Sequence, residues 1–171
     1  MKIFNIGLSK TGTKSFVTAT KLLGYKSVHL GGRPITLEQM ETIDSFGDSN
    51  SCWFMYQQFY NDYPDSMFVY SVRDKDEWVQ RILEWYNPKW NISYIRWHLE
   101  NIWIPVVDTE EELKDFFEEH QQGVRNFFKD KQDRFLEHNV FEGDGWKSLC
   151  EFLKCDTPPM DYPSLKNERV K

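Results

Sequence analysis

A loop rich in glycine, serine, threonine and lysine follows the apolar residues at the N-terminus of this chain. From position 7 to position 15 its sequence is G-L-S-K-T-G-T-K-S. The residues from Ser15 to Leu23 have the apolar pattern of a helix, and Gly24 is suited to end that helix. A strand that leads through such a turn into a helix binds phosphate, because backbone N–H groups, the helix N-terminus and a lysine all present positive charge. The chemistry expected of this loop is the binding of an anion, and the alternative is an ordinary turn.

The spacing of the loop differs from that of the Walker A motif. A Walker A motif is G-x-x-x-x-G-K-[ST], with its lysine directly after the second glycine. Here Thr13 stands between Gly12 and Lys14, and another lysine, Lys10, lies two residues before Gly12. This register, K-T-G-T-x-S, resembles the 5′-phosphosulfate loop of the sulfotransferases, P-K-[ST]-G-T-[TS]. Ser9 replaces the usual proline, and Lys14 replaces the second small hydroxyl residue.

A second motif strengthens the resemblance. Residues 67–72 have the pattern of a buried strand, which ends at Arg73 before a predicted helix. Related sulfotransferases have V-R-D-x-x-x-W here, and their arginine grips the 3′-phosphate of 3′-phosphoadenosine 5′-phosphosulfate (PAPS). The family's serine eight residues later is Arg81 in this chain, and a guanidinium can bind phosphate with two hydrogen bonds. The alternatives are a surface ion pair for Arg73 and a solvated helix face for Arg81.

The C-terminal third extends the resemblance to essentially the whole chain except about residues 85–130. Residues 145–153, G-W-K-S-L-C-E-F-L, and the prolines after them are similar to the closing motif of the same family. The apolar spacing in this segment predicts an amphipathic helix, which we assign to packing.

The resemblance implies a P-loop-like sulfotransferase that moves a sulfuryl group from PAPS to a hydroxyl or amine, leaves PAP as product and needs no metal. Lys10 would stabilise charge on the leaving oxygen. The residues implied to bind the donor are Lys10, Thr11, Gly12, Thr13, Lys14, Ser15, Arg73 and Arg81. The alternative functions are a small-molecule kinase or other P-loop NTPase, and a non-catalytic descendant that binds nucleotide or partner proteins.

Two residues compete for the role of the base that takes the acceptor's proton. His29 titrates near neutrality and falls about twenty residues after the loop, where related Golgi-type enzymes have a catalytic glutamate. Asp48 lies close to where cytosolic members place their catalytic histidine. The alternatives are a structural histidine and a helix N-cap. The choice between His29 and Asp48 stays open, and the other histidines are interpreted as helical or peripheral.

Bulk properties narrow the class of protein. A length of 171 residues predicts one domain over residues 1–171. The net charge of −6 argues against nucleic acid as a partner, and no apolar run or N-terminal pattern indicates a membrane span or a signal peptide. Three cysteines without metal-ligand spacing are typical of a cytoplasmic protein. The resemblance implies a small-molecule or glycan acceptor as the partner, and the oligomeric state stays open.

Alternating strands and helices predict a three-layer α/β/α fold with a mostly parallel sheet. Strands are expected near residues 2–8, 26–30, 67–72 and 133–137. Helices are expected near residues 13–23, 36–46, 52–62, 75–86, 91–103, 110–128 and 145–154, with a Thr109–Glu112 capping box on the sixth. The aromatic segment 85–103 is either a wall over the acceptor site or part of the core. Lys10, His29 and Arg73 fall at strand ends, where ligands bind in such folds.

Overall fold

A parallel sheet with helices on both faces forms the body of the protein. The computed structural model describes residues 1–85 and 109–163, and within them all strand pairings are parallel, in the order β2-β3-β1-β4-β5. The strands are β1 (Ile3–Asn5), β2 (Ser27–Gly32), β3 (Ser45–Ser49), β4 (Met67–Ser71) and β5 (Phe135–His138). The helices are α1 (Thr13–Leu22), α2 (Leu37–Thr42), α3 (Asn50–Phe54), α4 (Tyr56–Asp62), α5 (Lys75–Trp85), α6 (Glu110–Phe128) and α7 (Trp146–Leu153), with a 3₁₀ turn at Gln132–Arg134. The expected α/β class with a mostly parallel sheet is confirmed.

Alternate residues of the central strands face opposite layers of helices. Ile3 packs in a cluster with α1 and α7, whereas its neighbour Phe4 packs in a cluster with α3, α4, α5 and α6. The second cluster is strongly aromatic, and the ring of Phe4 lies 4.7 Å from that of Phe59 and 5.5 Å from that of Phe68. This packing fixes β1 and β4 side by side, so the segments that follow them are neighbours at the carboxyl edge of the sheet.

The helix predicted over residues 36–46 is wrong in its second half. Helix α2 ends at Thr42, and β3 lies between β1 and β2. The sequence S-F-G-D-S has none of the β-branched residues that mark strands, so its local pattern does not reveal this strand. Tertiary packing stabilises this strand: all five residues are buried, and a Cβ on Gly47 would lie 2.5 Å from Val17 Cγ2 on α1.

The remaining elements follow the expected order with local differences. The helix predicted over residues 52–62 is two helices, because the chain turns at Met55 between α3 and α4. The capping box at Thr109 and Glu112 is confirmed. The helix predicted over residues 91–103 lies outside the described residues, and so does the aromatic segment that follows Trp85. Within the described part of the chain, no helix combines the length and apolar character needed to cross a membrane.

Candidate functional site

The loop after β1 is seated directly on the end of β4. The Gly7 N–H donates to Asn5 Oδ1 (3.1 Å), and the Asn5 side-chain amide donates to Ser71 Oγ (2.5 Å). A Cβ at position 7 would lie 2.3 Å from the Ser71 carbonyl oxygen. Glycine is therefore required where the chain crosses β4, and this contact fixes the loop relative to Arg73.

The conformation of the loop suits an anion. Gly12 has a φ of 101°, and Lys10, which is not a glycine, has a φ of 69°. Such a backbone conformation costs a non-glycine residue about 1–3 kcal/mol and is found mainly at functional sites. Gly12 is also the N-cap of α1 and offers no side-chain cap, in contrast to Thr36 and Thr109, which cap α2 and α6. The N-cap residue therefore supplies no side chain to the N–H groups of the first turn of α1, as at helix N-termini that bind phosphate.

The side chains of the loop have different surroundings. Thr11 is buried, and its hydroxyl donates to the Leu8 carbonyl (2.7 Å), so this side chain stabilises the turn. Thr13 Oγ1 lies 3.3 Å from His29 Nε2. Lys14 is exposed on the first turn of α1, and Ser15 beside it is buried.

The two candidate bases are in contact with each other. Asp48 Oδ2 lies 3.2 Å from His29 Nε2, and Asp48 Oδ1 accepts a hydrogen bond from Ser9 Oγ. Asp48 has a φ of 55°, which lies in the left-handed region. The N-cap of α3 is Ser49 rather than Asp48. The tertiary structure thus places both candidates in one group that also touches the loop.

The surroundings of His29 favour its neutral form. Burial lowers the pKa of His29 below its ordinary value, and the nearby Asp48 carboxylate opposes this effect. Three lysines lower the pKa of His29 further: Lys14, Lys10 and Lys21. With its Nε2–H directed at Asp48, a neutral imidazole carries its lone pair on Nδ1, to which no described residue donates a hydrogen bond. That nitrogen is suited to accept a proton.

Lys10 lies among several charges. Burial lowers the pKa of Lys10, Asp48 opposes the change, and Lys14 and Arg81 lower the pKa further. Positive charge from the loop itself and from α5 therefore converges at Lys10. Such convergence is typical of sites for polyanions.

Arg73 contacts both the loop and an acidic side chain on α5. Its Nη1 donates to the Lys10 carbonyl (3.1 Å), its Nε donates to Glu77 (3.2 Å), and its guanidinium lies 4.0 Å from the centre of the Phe141 ring. The side chain is only 12 % exposed. Arg81, which is 40 % exposed, pairs with Glu84 (2.8 Å), and its charge lowers the pKa of both Arg73 and Lys10. Arg81 is therefore near enough to both Arg73 and Lys10 to act on them electrostatically.

One contact of the loop was not expected from the sequence. The indole N–H of Trp78 donates to the Ser9 carbonyl (2.8 Å). The sequence feature that could have indicated this contact was the tryptophan of the V-R-D-x-x-x-W motif. A tryptophan in a helix is ordinarily interpreted as a packing residue.

The other described histidines bond to backbone carbonyls away from this group. His120 on α6 is half-buried, with Nε2 3.0 Å from the Ile6 carbonyl, and His138 Nε2 lies 3.3 Å from the Gly145 carbonyl. His98 lies outside the described residues. Among residues 1–85 and 109–163, no group of three or more His, Cys, Asp and Glu side chains is arranged to hold a metal ion.

The chain is similar to known proteins over most of its length. A curated relative, Ava biosynthesis cluster protein M of Aspergillus versicolor, is 23 % identical over 216 residues, which cover 96 % of this chain and 80 % of the relative. A family model described as a sulfotransferase domain matches residues 36–170. The match includes Asp48, Arg73 and Arg81 but begins after the loop. Because the matched segment is well over half of the chain, this protein belongs to the sulfotransferase domain family.

Proposed function

We propose that this transferase uses PAPS as its donor and passes the sulfuryl group to a hydroxyl or amine of a small-molecule or glycan acceptor. The observation that carries the proposal is the contact between the two implied anion sites, in which Arg73 Nη1 donates to the Lys10 carbonyl at 3.1 Å. A donor with a 5′-phosphosulfate and a 3′-phosphate needs two such sites close together. A nucleoside triphosphate has no use for the second site.

The residues present fit such a donor. The 5′-phosphosulfate would be held by the loop, whose N-terminal helical turn receives no side chain from its N-cap residue and whose Gly12 allows the left-handed turn. The 3′-phosphate would be held by Arg73 with Arg81, which stands where the family has serine. When bound, PAPS supplies the sulfuryl group and leaves as PAP.

The side chains around the loop supply the remaining chemistry. We assign His29 as the base, because its pKa is lowered and its Nδ1 has no donor among the described residues. Asp48 holds the Nε2–H and stabilises the charged imidazolium that forms when the acceptor's proton arrives. Lys10 stabilises the negative charge that develops on the leaving oxygen. Positioning and electrostatics account for most of the expected rate enhancement, as in phosphoryl transfer.

Calorimetry with PAP, 5′-AMP and ATP–Mg²⁺ tests this proposal. Each charged hydrogen bond to the 3′-phosphate contributes about 1.5–3 kcal/mol, so PAP should bind at least roughly tenfold more tightly than 5′-AMP. Arg81→Ala is the matched variant: it should weaken PAP and leave 5′-AMP unchanged. If ATP–Mg²⁺ binds the wild-type protein more tightly than PAP, the proposed donor is wrong and a kinase-like activity is favoured.

A further inference from the structure

Trp78 makes a contact that its packing does not require. It is 2 % exposed on α5, and its ring packs on Phe117 at a centroid distance of 4.9 Å. Its indole N–H leaves this apolar layer and donates to the Ser9 carbonyl in the loop (2.8 Å). A buried hydrogen bond between α5 and the loop after β1 links two segments that are 69 positions apart.

Arg73 holds the next carbonyl of the same loop. Its Nη1 donates to the Lys10 carbonyl (3.1 Å). The Ser9 carbonyl belongs to the peptide unit before Lys10, and the Lys10 carbonyl belongs to the unit after it. Both peptide units that flank Lys10 are therefore held by side chains from the β4–α5 segment. Lys10 is also the residue of this loop that has a φ of 69° without being a glycine.

This arrangement explains how an unfavourable backbone conformation persists. A non-glycine residue keeps a left-handed φ only where its surroundings fix both adjacent peptide planes. Trp78 fixes the plane on the N-terminal side of Lys10, and Arg73 fixes the plane on the C-terminal side. Without the indole N–H, the first plane would be free to rotate toward a φ that lysine prefers.

We propose that Trp78 is a positioning residue of the loop: its indole N–H, together with Arg73, holds Lys10 in the left-handed conformation used for donor binding and transfer. The inference rests on the anion-binding role of the loop given under the proposed function. It assigns to Trp78 a task beyond packing, and it couples recognition of the 3′-phosphate at Arg73 to the geometry of the 5′ site.

The chain supplies two matched controls for Trp78→Phe, which keeps an aromatic ring, removes the N–H donor and makes the buried side chain smaller. Trp53 is 1 % exposed and its indole nitrogen has no hydrogen-bond partner among the described residues, so Trp53→Phe makes the same reduction in ring size without removing a hydrogen bond. Trp146 donates to the Met160 carbonyl (2.7 Å) on the opposite face of the sheet, so Trp146→Phe removes an equivalent bond away from the loop.

The experiment measures binding of PAP and of inorganic pyrophosphate by calorimetry, sulfuryl transfer from PAPS, and thermal unfolding of all variants. Trp78→Phe should weaken both ligands and lower kcat, each by roughly fivefold to twentyfold, the size expected for one buried hydrogen bond. Trp53→Phe and Trp146→Phe should bind both ligands as the wild type does. In the Lys10→Ala background, Trp78→Phe should have little further effect on transfer, because it acts through Lys10.

Pyrophosphate separates this inference from the choice of donor. If ATP–Mg²⁺ proves to be the better ligand but Trp78→Phe still weakens pyrophosphate, the proposed donor fails and the positioning role stands. A folded Trp78→Phe variant that binds pyrophosphate and PAP like the wild type would overturn the role. An additive effect of Trp78→Phe on Lys10→Ala, or an equal loss in Trp146→Phe, would also overturn it, and so would failure of the wild type to bind pyrophosphate.

Discussion

His29 Nε2 lies 3.2 Å from Asp48 Oδ2, although the two residues stand on different strands. His29 is paired with Gly47 in the register of β2 and β3, and Asp48 is the next residue of β3. The left-handed backbone of Asp48 and its hydrogen bond from Ser9 hold the carboxylate in place. Two residues that compete for one role in the sequence are therefore members of one hydrogen-bonded pair, in which the imidazole can exchange a proton and the carboxylate orients it.

Replacing either member of this pair should impair transfer without removing donor binding. His29→Ala should lower kcat by roughly a hundredfold to ten-thousandfold, the usual contribution of a general base. Asp48→Asn should lower kcat less, because the imidazole remains. Both variants should retain PAP affinity within about twofold by calorimetry, since neither residue is assigned to the donor phosphates.

The pH dependence of the pair has a definite direction. Burial holds the pKa of His29 below its ordinary value, so kcat/KM for PAPS should fall only as the pH drops through that lowered pKa. Asp48 raises the pKa of His29, so Asp48→Asn should move the acid limb to still lower pH. An Asp48→Asn enzyme that is inactive beside a fully active His29→Ala enzyme would reverse the assignment of the base.

Lys10→Ala should reduce sulfuryl transfer by roughly a hundredfold or more, as removal of a group that stabilises transition-state charge does. Lys10→Gly should be equally impaired in transfer. It should also be more stable to heat than Lys10→Ala, because glycine adopts a φ of 69° without strain. Steady-state kinetics measures the loss of transfer, and thermal unfolding measures the difference in stability between the two variants. Full activity in Lys10→Ala would transfer the role to Lys14.

Arg73→Ala should raise KM for PAPS and lower kcat together. Loss of a charged hydrogen bond to the 3′-phosphate weakens the donor by about 1.5–3 kcal/mol. Loss of the bond to the Lys10 carbonyl also releases the loop, which affects the reacting groups. Glu77→Gln is the control, because it removes the charge that pairs with Arg73 Nε and leaves the guanidinium present. A rise in KM with unchanged kcat would show that Arg73 serves the 3′-phosphate alone.

The stability of the fold should fall as the pH drops from 6.5 toward 4. Burial lowers the pKa of His120 to about 4, whereas the unfolded chain protonates this histidine near 6.5. Protons therefore favour the unfolded state over this interval, and the free energy of unfolding falls with decreasing pH, by on the order of 3 kcal/mol for this group. His120→Gln keeps a donor for the Ile6 carbonyl and removes the titration. Denaturant unfolding at several pH values should show a flatter dependence for His120→Gln, and an unchanged slope would contradict the prediction.

The local sequence pattern was sufficient to predict the helices and strands that have strong periodic or capping signals. Helix α6 has its capping box at Thr109, and β4 (Met67–Ser71) lies within the apolar and aromatic run that precedes Arg73. The composition of the loop from Gly7 to Ser15 also predicts anion binding, because glycines, hydroxyls and lysines between a strand and a helix suit an anion wherever they occur. These features depend on neighbours in the chain, so the sequence alone predicts them.

Only the tertiary structure decided which distant residues meet at this loop. Strand β3 exists because Gly47 allows α1 to pack closely and because β1 and β2 pair with its edges, and none of these partners is adjacent to it in sequence. The pairing of His29 with Asp48 and the bond from Trp78 to Ser9 follow from that same packing. Hydrogen bonds of this kind join positions 19 or more apart. Their geometry depends on how the sheet and helices assemble, so it cannot be predicted from a local pattern of residue types.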